Sequence, residues 1–258
     1  MTSPDFTRIL LVEDNRDFSR AGFEYLRERG LEVDLAFCFS PAICQLETIS
    51  YDGVVIDCFF PRCYKGDNKD LGSQVVEKLF SDDKNHQRIL MFEKALDGVI
   101  DLSDPELRLY VRSYYDGIKV DSPEDDPSFR AIKHVSKTSS VEVASLCAKN
   151  TFGMIHRDRE GGFKDYYEEM MKAIDEDSSN QPLGIMVGQK CEEKGIPFVL
   201  ATSTNHHDIL TRPVANYCGR IGWSLIDCMK DCEDDKASPE YWGRVYEELV
   251  RKGVGGGK

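Results

Sequence analysis

The chain has 258 residues and carries 33 basic against 46 acidic side chains, which gives a formal net charge of −13. A pI near 4.9 argues against a general nucleic-acid binder and against binding to anionic membrane surfaces, because both depend on clustered lysine and arginine. A hydrophobic content of 41% is enough for a buried core. The sequence has no apolar run of membrane-spanning length and no signal peptide, so we expect a soluble, cytoplasmic protein with reduced cysteines.

The first sixty residues alternate strand and helix patterns. Short aliphatic runs over 8–12, 32–36 and 53–56 are typical of buried parallel strands. A helical segment that ends at Gly30 follows the first run, and a second helix is predicted over 41–49. This order implies right-handed crossovers and a parallel sheet with helices on both faces.

The C-terminal third of the chain resumes this alternation. Its predicted elements are a helix over 184–194, a strand over 196–201, a helix over 209–221, a strand over 223–226 and a helix from Pro239 onward. Together with the first sixty residues they predict an α/β, doubly wound, flavodoxin-like fold. Its five parallel strands would have the order 2-1-3-4-5.

The middle of the chain breaks the alternation. It contains few strand-like runs and four amphipathic helical stretches, over 89–100, 105–118, 129–147 and 163–174. We therefore predict a discontinuous α/β domain over 1–61 and 182–252, interrupted by a mostly helical insertion over 62–181. A flexible tail is predicted over 253–258.

Three acidic residues stand at the carboxyl ends of predicted strands. Glu13 and Asp14 follow the first strand, and Asp57 follows the third. In a doubly wound sheet of this order, strands one and three are neighbours at the place where ligands bind. Converging carboxylates repel one another unless a cation lies among them, and Mg²⁺ accepts a few carboxylate oxygens while keeping several waters. These residues predict a Mg²⁺ site, although Glu13 and Asp14 could instead cap the following helix.

Two motifs resemble the receiver domain of bacterial response regulators, Ile-Leu-Leu-Val-Glu-Asp-Asn over 9–15 and Val-Val-Ile-Asp-Cys-Phe-Phe-Pro over 54–61. That family has an acidic pair after its first strand and a phosphoacceptor aspartate at the end of its third. The resemblance implies that Asp57 is phosphorylated and that Glu13, Asp14 and Asp57 hold Mg²⁺.

Two further residues are assigned by the same resemblance. The segment 197–202 is similar to the family's fourth strand, and Thr202 then corresponds to the switch threonine or serine. Lys230 resembles the lysine that pairs with the phosphoryl oxygens. The chain departs from the family in three respects: no proline follows Lys230, Asp227 stands where an aromatic residue is usual, and an ordinary receiver has no counterpart of the insertion.

The resemblance implies a two-component signalling protein. Its phosphodonor would be a sensor histidine kinase or a phosphotransfer protein. No DNA-binding output domain follows the predicted receiver, so we expect the signal to pass to a protein partner through the helical insertion. Phosphorylation adds about two negative charges, and this change would bias the insertion toward or away from the partner.

Two other functions and one further site remain open. Asp57 at a strand end, followed by a helical insertion, is also similar to haloacid-dehalogenase-type phosphatases, in which Asp57 would be the nucleophile. Those enzymes need a second aspartate two residues later, where this chain has Phe59. A degenerate receiver that only binds a partner is the third hypothesis. The segment beginning at His134 resembles the helix of histidine phosphotransfer domains, with Thr138 in place of the usual glycine.

Overall fold

The computed structural model divides the chain into two compact units. One unit comprises Met1–Leu79 and Tyr166–Lys258, and the other comprises Phe80–Asp165; we call them the sheet unit and the helical unit. The described residues are 7–63, 69–84, 86–87, 90, 99–101, 103, 107, 111, 123–153, 166–229 and 235–255. None of the helices in this described part of the chain has the length and apolarity that crossing a bilayer requires.

The sheet unit contains a five-stranded, all-parallel sheet, which confirms the predicted fold class. Its strands are β1 (Arg8–Val12), β2 (Glu32–Ala36), β3 (Gly53–Asp57), β4 (Phe198–Ala201) and β5 (Leu225–Ile226). Their order is β2-β1-β3-β4-β5, the flavodoxin-like order. The register pairs Val12 with Ile56 and Asp57 with Ala201, so the carboxyl ends of β1, β3 and β4 lie level with one another.

Helices follow the strands in the predicted alternation. The described α-helices are α1 (Arg16–Glu28), α2 (Phe39–Thr48), α3 (Asp70–Asp82), α4 (Pro127–Thr138), α5 (Val141–Gly153), α6 (Tyr166–Glu176), α7 (Gly184–Lys194), α8 (Thr211–Ile221) and α9 (Pro239–Arg251). The stretch 129–147, predicted as one helical segment, contains a break because Ser139 is extended (φ −137°, ψ 173°). The stretches over 89–100 and 105–118 lie largely outside the described residues.

The sheet unit is wider than the receiver-like domain predicted from the sequence. Segments 62–79 and 166–181, which we assigned to the insertion, belong to it. Buried Gln181 explains part of this difference, because its side-chain oxygen accepts the N–H of Gly72 at the start of α3 (3.0 Å). The carbonyl of Gln181 also accepts the N–H of Phe60 after β3 (3.2 Å). Gln181 therefore joins the two flanks of the predicted insertion to each other and to the segment after β3.

The core on one face of the sheet lies beneath α1 and α9. Trp242 of α9 is 1% exposed and packs over Gly22 of α1, where a Cβ atom would lie 2.5 Å from the indole ring.

Residues 253–255, which we predicted as part of a flexible tail, instead complete the end of α9. The N–H of Val254 donates to the Leu249 carbonyl (3.0 Å) after a left-handed Gly253 (φ 91°), and this cap places Val254 in the core.

The opposite face packs α7 directly against the end of β3. Gly184 begins α7, and its N–H donates to the carbonyl of Cys58 (3.2 Å). A Cβ atom at Gly184 would lie 2.2 Å from the backbone oxygen of Asp57. Only glycine permits so close an approach, since the obstructing atoms are backbone. The contact between α7 and the end of β3 therefore restricts the position of the Asp57 main chain.

We predict that Gly184→Ala destabilises the sheet unit by about 1–3 kcal/mol, as overpacking of a tight contact usually does. Denaturant unfolding measures this change. Gly219→Ala is the matched control, because Gly219 also lies in a helix but nothing surrounds its Cβ position within 4 Å. We expect the control to be at least as stable as the unmodified chain. Equal stability of the two variants would contradict the close contact.

Candidate metal centre

The three predicted carboxylates converge at the carboxyl end of the parallel sheet. Glu13 and Asp14 follow β1, Asp57 ends the neighbouring β3, and one oxygen from each lies within 4.8 Å of the others. Glu13 and Asp57 are buried, whereas Asp14 is half-buried. A buried acidic cluster of this kind could hold a metal ion. It arises because the parallel strands β1 and β3 end side by side.

Glu13 and Asp14 do not cap helix α1. Asn15 does so, since its side-chain oxygen accepts the N–H groups of Asp17 and Phe18 (2.9 and 3.3 Å). The N–H of Asn15 in turn donates to Glu13 Oε1 (3.1 Å). Asn15 is therefore the helix cap, a role that the sequence had left open for Glu13 and Asp14. Both of their carboxyl groups remain at the end of β1.

A buried lysine lies among the carboxylates. Lys236 Nζ is 2.6 Å from Glu13 Oε2 and 2.5 Å from Asp57 Oδ1, and it donates to the Ala201 carbonyl (3.2 Å). Its side chain is 1% exposed. Burial opposes the charge of this ammonium, but Asp57 and Glu13 raise its pKa well above the ordinary value. Lys236 is therefore charged and links the ends of β1, β3 and β4.

From the sequence we expected Lys230 at this position, but Lys230 lies outside the described residues. Lys236 occupies the 3₁₀ turn Asp235–Ala237, directly before α9. One sequence signal favoured it: the receiver family places a proline after its lysine, and Lys236 stands nearer than Lys230 to Pro239. Lys230 lies four residues after the end of β5 and Lys236 lies ten residues after it, so proximity to the strand favoured Lys230.

Contacts from α9 hold the Lys236 turn in place. Trp242 Nε1 donates to the Lys236 carbonyl (2.7 Å). Arg244 forms an ion pair with buried Asp235, whose carboxylate also accepts the N–H of Met229 (3.0 Å). The same helix that covers one face of the sheet thus positions the ammonium at the carboxyl ends of the strands.

The charge of the cluster is not balanced by Lys236 alone. Burial, and the charge of nearby Asp57, raise the pKa of Asp14 from its ordinary 3.8 to about 7. Burial raises the pKa of Glu13 to about 8 although Lys236 acts in the opposite direction. Three carboxyl groups around one ammonium would carry excess negative charge if all were ionised, and after burial the charge of Asp57 contributes to the raised pKa of both Asp14 and Glu13. An all-oxygen donor set with this excess suits a hard divalent cation.

A cleft of ≈ 330 Å³ opens above the cluster. The residues that line it are Glu13, Asp14, Asn15, Phe18, Asp57, Phe59, Ser179, Asn180, Ser203, Thr204, Asp208 and Leu210. Asp57 Oδ2 accepts the N–H of Phe59 (3.2 Å), while Asp57 Oδ1 faces Lys236. Much of the remaining lining is polar and comes from the loop after β4 and from the 3₁₀ turn Ser178–Asn180.

The predicted switch residue lies deeper than the cleft surface. Thr202 is 1% exposed, and the described residues that line the cleft include Ser203 and Thr204 but not Thr202. The Thr202 carbonyl accepts the hydroxyl of Tyr241 (2.9 Å). The last predicted candidate, His134, is exposed on α4 of the helical unit, and its phosphotransfer role stays a prediction.

Comparison with known proteins adds no assignment. The chain matches no protein-family model, and neither the curated proteins nor the solved structures contain a significant match. The geometry of the cluster and the cleft is therefore the basis for inferring a function.

We predict that, without divalent cations, stability falls as the pH rises. A carboxyl group whose pKa is raised by folding favours the folded state below its unfolded pKa, and this contribution is lost as the pH rises through the folded value. For Asp14 and Glu13 that window extends from about pH 4 to about pH 8. Asp14→Asn removes one buried charge and should increase the free energy of unfolding at about pH 8 by ~1–3 kcal/mol, allowing for partial exposure.

Urea unfolding at about pH 5 and about pH 8, with and without Mg²⁺, measures these changes. Asp17→Asn is the control, because Asp17 is exposed in the first turn of α1, and it should follow the unmodified chain. Added Mg²⁺ should stabilise the unmodified chain more than Asp14→Asn. A metal-free chain that gains stability toward pH 8 would refute the proposed charge imbalance.

We also predict that Lys236→Met costs about 3–5 kcal/mol at neutral pH, because it leaves Glu13 and Asp57 buried without their cationic partner. Thermal or urea unfolding provides the measurement. Lys230→Met tests the residue assigned from the sequence, and its loss should be smaller than that of Lys236→Met. If Lys236→Met has no folded form, Lys236→Arg retains the charge and should recover part of the loss. A larger loss of stability in Lys230→Met than in Lys236→Met would contradict the assignment of the buried ammonium to Lys236.

Proposed function

We propose that the chain is a receiver-like signalling protein in which Asp57 accepts a phosphoryl group with the help of Mg²⁺. The observation that supports this most strongly is the contact of Lys236 with Asp57 and Glu13, because Lys236 is 179 residues from Asp57 along the chain. A carboxylate at a strand end, an acidic pair beside it and a buried lysine form a complete set of groups for phosphoryl transfer. The Lys236 contact supports the proposal independently, because Lys236 lies outside the two sequence motifs that carry the resemblance.

The residues of the cluster have distinct parts in the proposed reaction. Glu13, Asp14 and Asp57 would hold Mg²⁺, which when bound neutralises phosphoryl oxygens and fixes their position. Asp57 acts as the nucleophile: a carboxylate oxygen forms a bond to phosphorus as the bond between phosphorus and the donor's leaving group breaks. The product is an acyl phosphate on Asp57. Lys236 carries the positive charge that offsets the oxygens now attached to Asp57.

The phosphodonor and the partner follow from this proposal. A phosphohistidine on a sensor kinase or a phosphotransfer protein has a good leaving group, and the open cleft admits a side chain from another protein. The modified Asp57 gains about two negative charges. We propose that a protein partner senses this change and contacts the helical unit.

One observation favours a second candidate, a degenerate receiver that binds a partner without phosphorylation. Lys236 already bridges Glu13 and Asp57, so it offsets part of the charge that a metal ion would neutralise. The phosphatase hypothesis has less support, because Phe59 offers no acid at the position where those enzymes need one. The experiment below separates these functions.

We predict that the chain gains one phosphoryl group on incubation with acetyl phosphate or phosphoramidate and Mg²⁺. Intact-mass measurement detects the gain, and chelation of Mg²⁺ should prevent it. Asp57→Asn should abolish it because the amide lacks the nucleophilic oxygen. Asp52→Asn is the matched control, since Asp52 is an exposed aspartate directly before β3, and it should gain phosphate like the unmodified chain.

Other outcomes select the alternatives. No mass gain and no Mg²⁺ binding by calorimetry would refute the proposal and leave the binding module. Sustained release of inorganic phosphate from a generic phosphate ester, lost in Asp57→Asn, would instead establish a phosphatase.

A further inference from the structure

The 3₁₀ turn that ends at Asn180 comes from the predicted insertion, yet it lies beside the segment that follows Asp57. The N–H of Phe60 donates to the Gln181 carbonyl (3.2 Å), and the N–H at the start of α7 donates to the Cys58 carbonyl (3.2 Å). These two hydrogen bonds hold the chain after Asn180 against the chain after Asp57. Asn180 consequently lines the same cleft as Asp57.

The side-chain amide of Asn180 is held in one orientation. Its Nδ2 atom donates to the Ala173 carbonyl of α6 (3.1 Å). Since a carbonyl oxygen only accepts, the amide atom that faces it must be the nitrogen. The other end of the amide is Oδ1, and no donor among the described residues contacts it. Half-buried Asn180 therefore brings to the cleft an acceptor whose partner must be a ligand or water.

Asp208 brings a second acceptor to the cleft. Its Oδ1 atom accepts the N–H groups of Leu210 and Thr211 at the start of α8 (2.9 and 3.3 Å). Within the described part of the chain, no hydrogen-bond donor contacts its Oδ2 atom. Asp208 is half-buried and lines the cleft. Because Oδ2 belongs to a carboxylate, it favours donors that carry positive charge.

The side of the cleft next to β1 has the opposite polarity. Asn15 Oδ1 already accepts two N–H groups at the start of α1 (2.9 and 3.3 Å), so the amino group is the end of this amide that a ligand can use. Phosphoryl oxygens only accept hydrogen bonds, and they suit the amino group of Asn15 and the ammonium of Lys236. The acceptors of Asn180 and Asp208 suit a different part of a phosphodonor, one that donates.

The leaving group is that part of the phosphodonor. As an Asp57 oxygen bonds to phosphorus, the bond to the leaving group breaks and its electron pair departs with the leaving group. Attacking and leaving atoms are roughly in line, so the leaving group lies on the far side of phosphorus from Asp57. Phosphoramidate protonated on nitrogen releases ammonia, and a phosphoimidazole protonated on its second ring nitrogen releases imidazole. Both leaving groups carry N–H donors, whereas the acetate released from acetyl phosphate carries none.

We infer that Asn180 and Asp208 make the cleft selective for phosphodonors with a phosphorus–nitrogen bond, by accepting the N–H groups of the leaving group; this inference rests on the proposed function. The favoured class includes phosphohistidine, and acyl phosphates are the disfavoured class. Both residues determine specificity and neither forms a bond to phosphorus. Asn180 comes from the flank of the insertion, so the insertion contributes directly to the choice of phosphodonor.

Rates with two small phosphodonors test the selectivity. Intact mass follows phosphorylation of the full-length chain by phosphoramidate and by acetyl phosphate, each with Mg²⁺, and gives a second-order rate constant for each donor. Asn180→Ala should lower the ratio of the phosphoramidate constant to the acetyl phosphate constant by about threefold to tenfold relative to the unmodified chain, the effect of one lost hydrogen bond. Asp208→Asn should do the same, because it keeps one oxygen for the start of α8 and replaces the other acceptor with an amino group.

The ratio separates specificity from structural damage, since a distorted cleft slows both donors alike. Asn216→Ala is the matched control: Asn216 is exposed on α8 and lies outside the described cleft lining, and its ratio should equal that of the unmodified chain. Asn180→Asp loses the bond to Ala173 but keeps acceptor oxygens, so it should retain the preference for phosphoramidate. If Asn180→Ala does not fold, Asp208→Asn and Asn180→Asp still decide the question.

The outcomes distinguish this inference from the proposed function. No mass gain on Asp57 with either donor would overturn the proposed function, and the selectivity with it. Phosphorylation by both donors, with an unchanged ratio in Asn180→Ala and Asp208→Asn, would overturn the selectivity alone. A greater loss of rate with acetyl phosphate than with phosphoramidate in these variants would also overturn it, because the two residues would then favour a leaving group without N–H donors.

Discussion

Lys236 is buried between Glu13 and Asp57, and its ammonium joins parts of the chain that are distant in sequence. A buried ion pair is weak evidence for stability by itself, because desolvation offsets much of the attraction. Its importance here lies in the remaining charge. Burial raises the pKa of Asp14 to about 7 and that of Glu13 to about 8, so the folded chain retains acidic groups that resist ionisation. Such a site favours the binding of a cation in the cleft.

The architecture of the sheet explains why this charge can accumulate. Three strands end at the same level, and the cluster lies over the central strand β3 rather than at an edge strand. Helices pack on both sides: α9 positions Lys236 through Trp242, and Gly184 of α7 contacts the backbone of Asp57. The carboxylates cannot separate without disturbing the core, so their repulsion persists in the folded state.

The sequence predicted those parts of the site that depend on local patterns. Glu13, Asp14 and Asp57 were identifiable because each follows a short aliphatic strand, and parallel strands align their carboxyl ends. Lys236 was not, since it occupies a turn whose position depends on contacts with α9 rather than on spacing from β5. The flanks of the insertion were misassigned for a similar reason: helical periodicity does not reveal a tertiary hydrogen bond such as that between Gln181 and Gly72.

The two walls of the cleft differ in how far they can respond to a ligand. On the Lys236 side, the charged groups are buried and each has a fixed partner. On the opposite side, the loop after β4 presents half-buried hydroxyls whose protons can change partner without moving the backbone. A new charge on Asp57 would lie between the buried charged groups around Lys236 on one side and the rotatable hydroxyl donors of the loop after β4 on the other. The loop after β4 is therefore the part of the cleft wall with rotatable donors, and hydrogen bonds connect it to Thr211 at the start of α8.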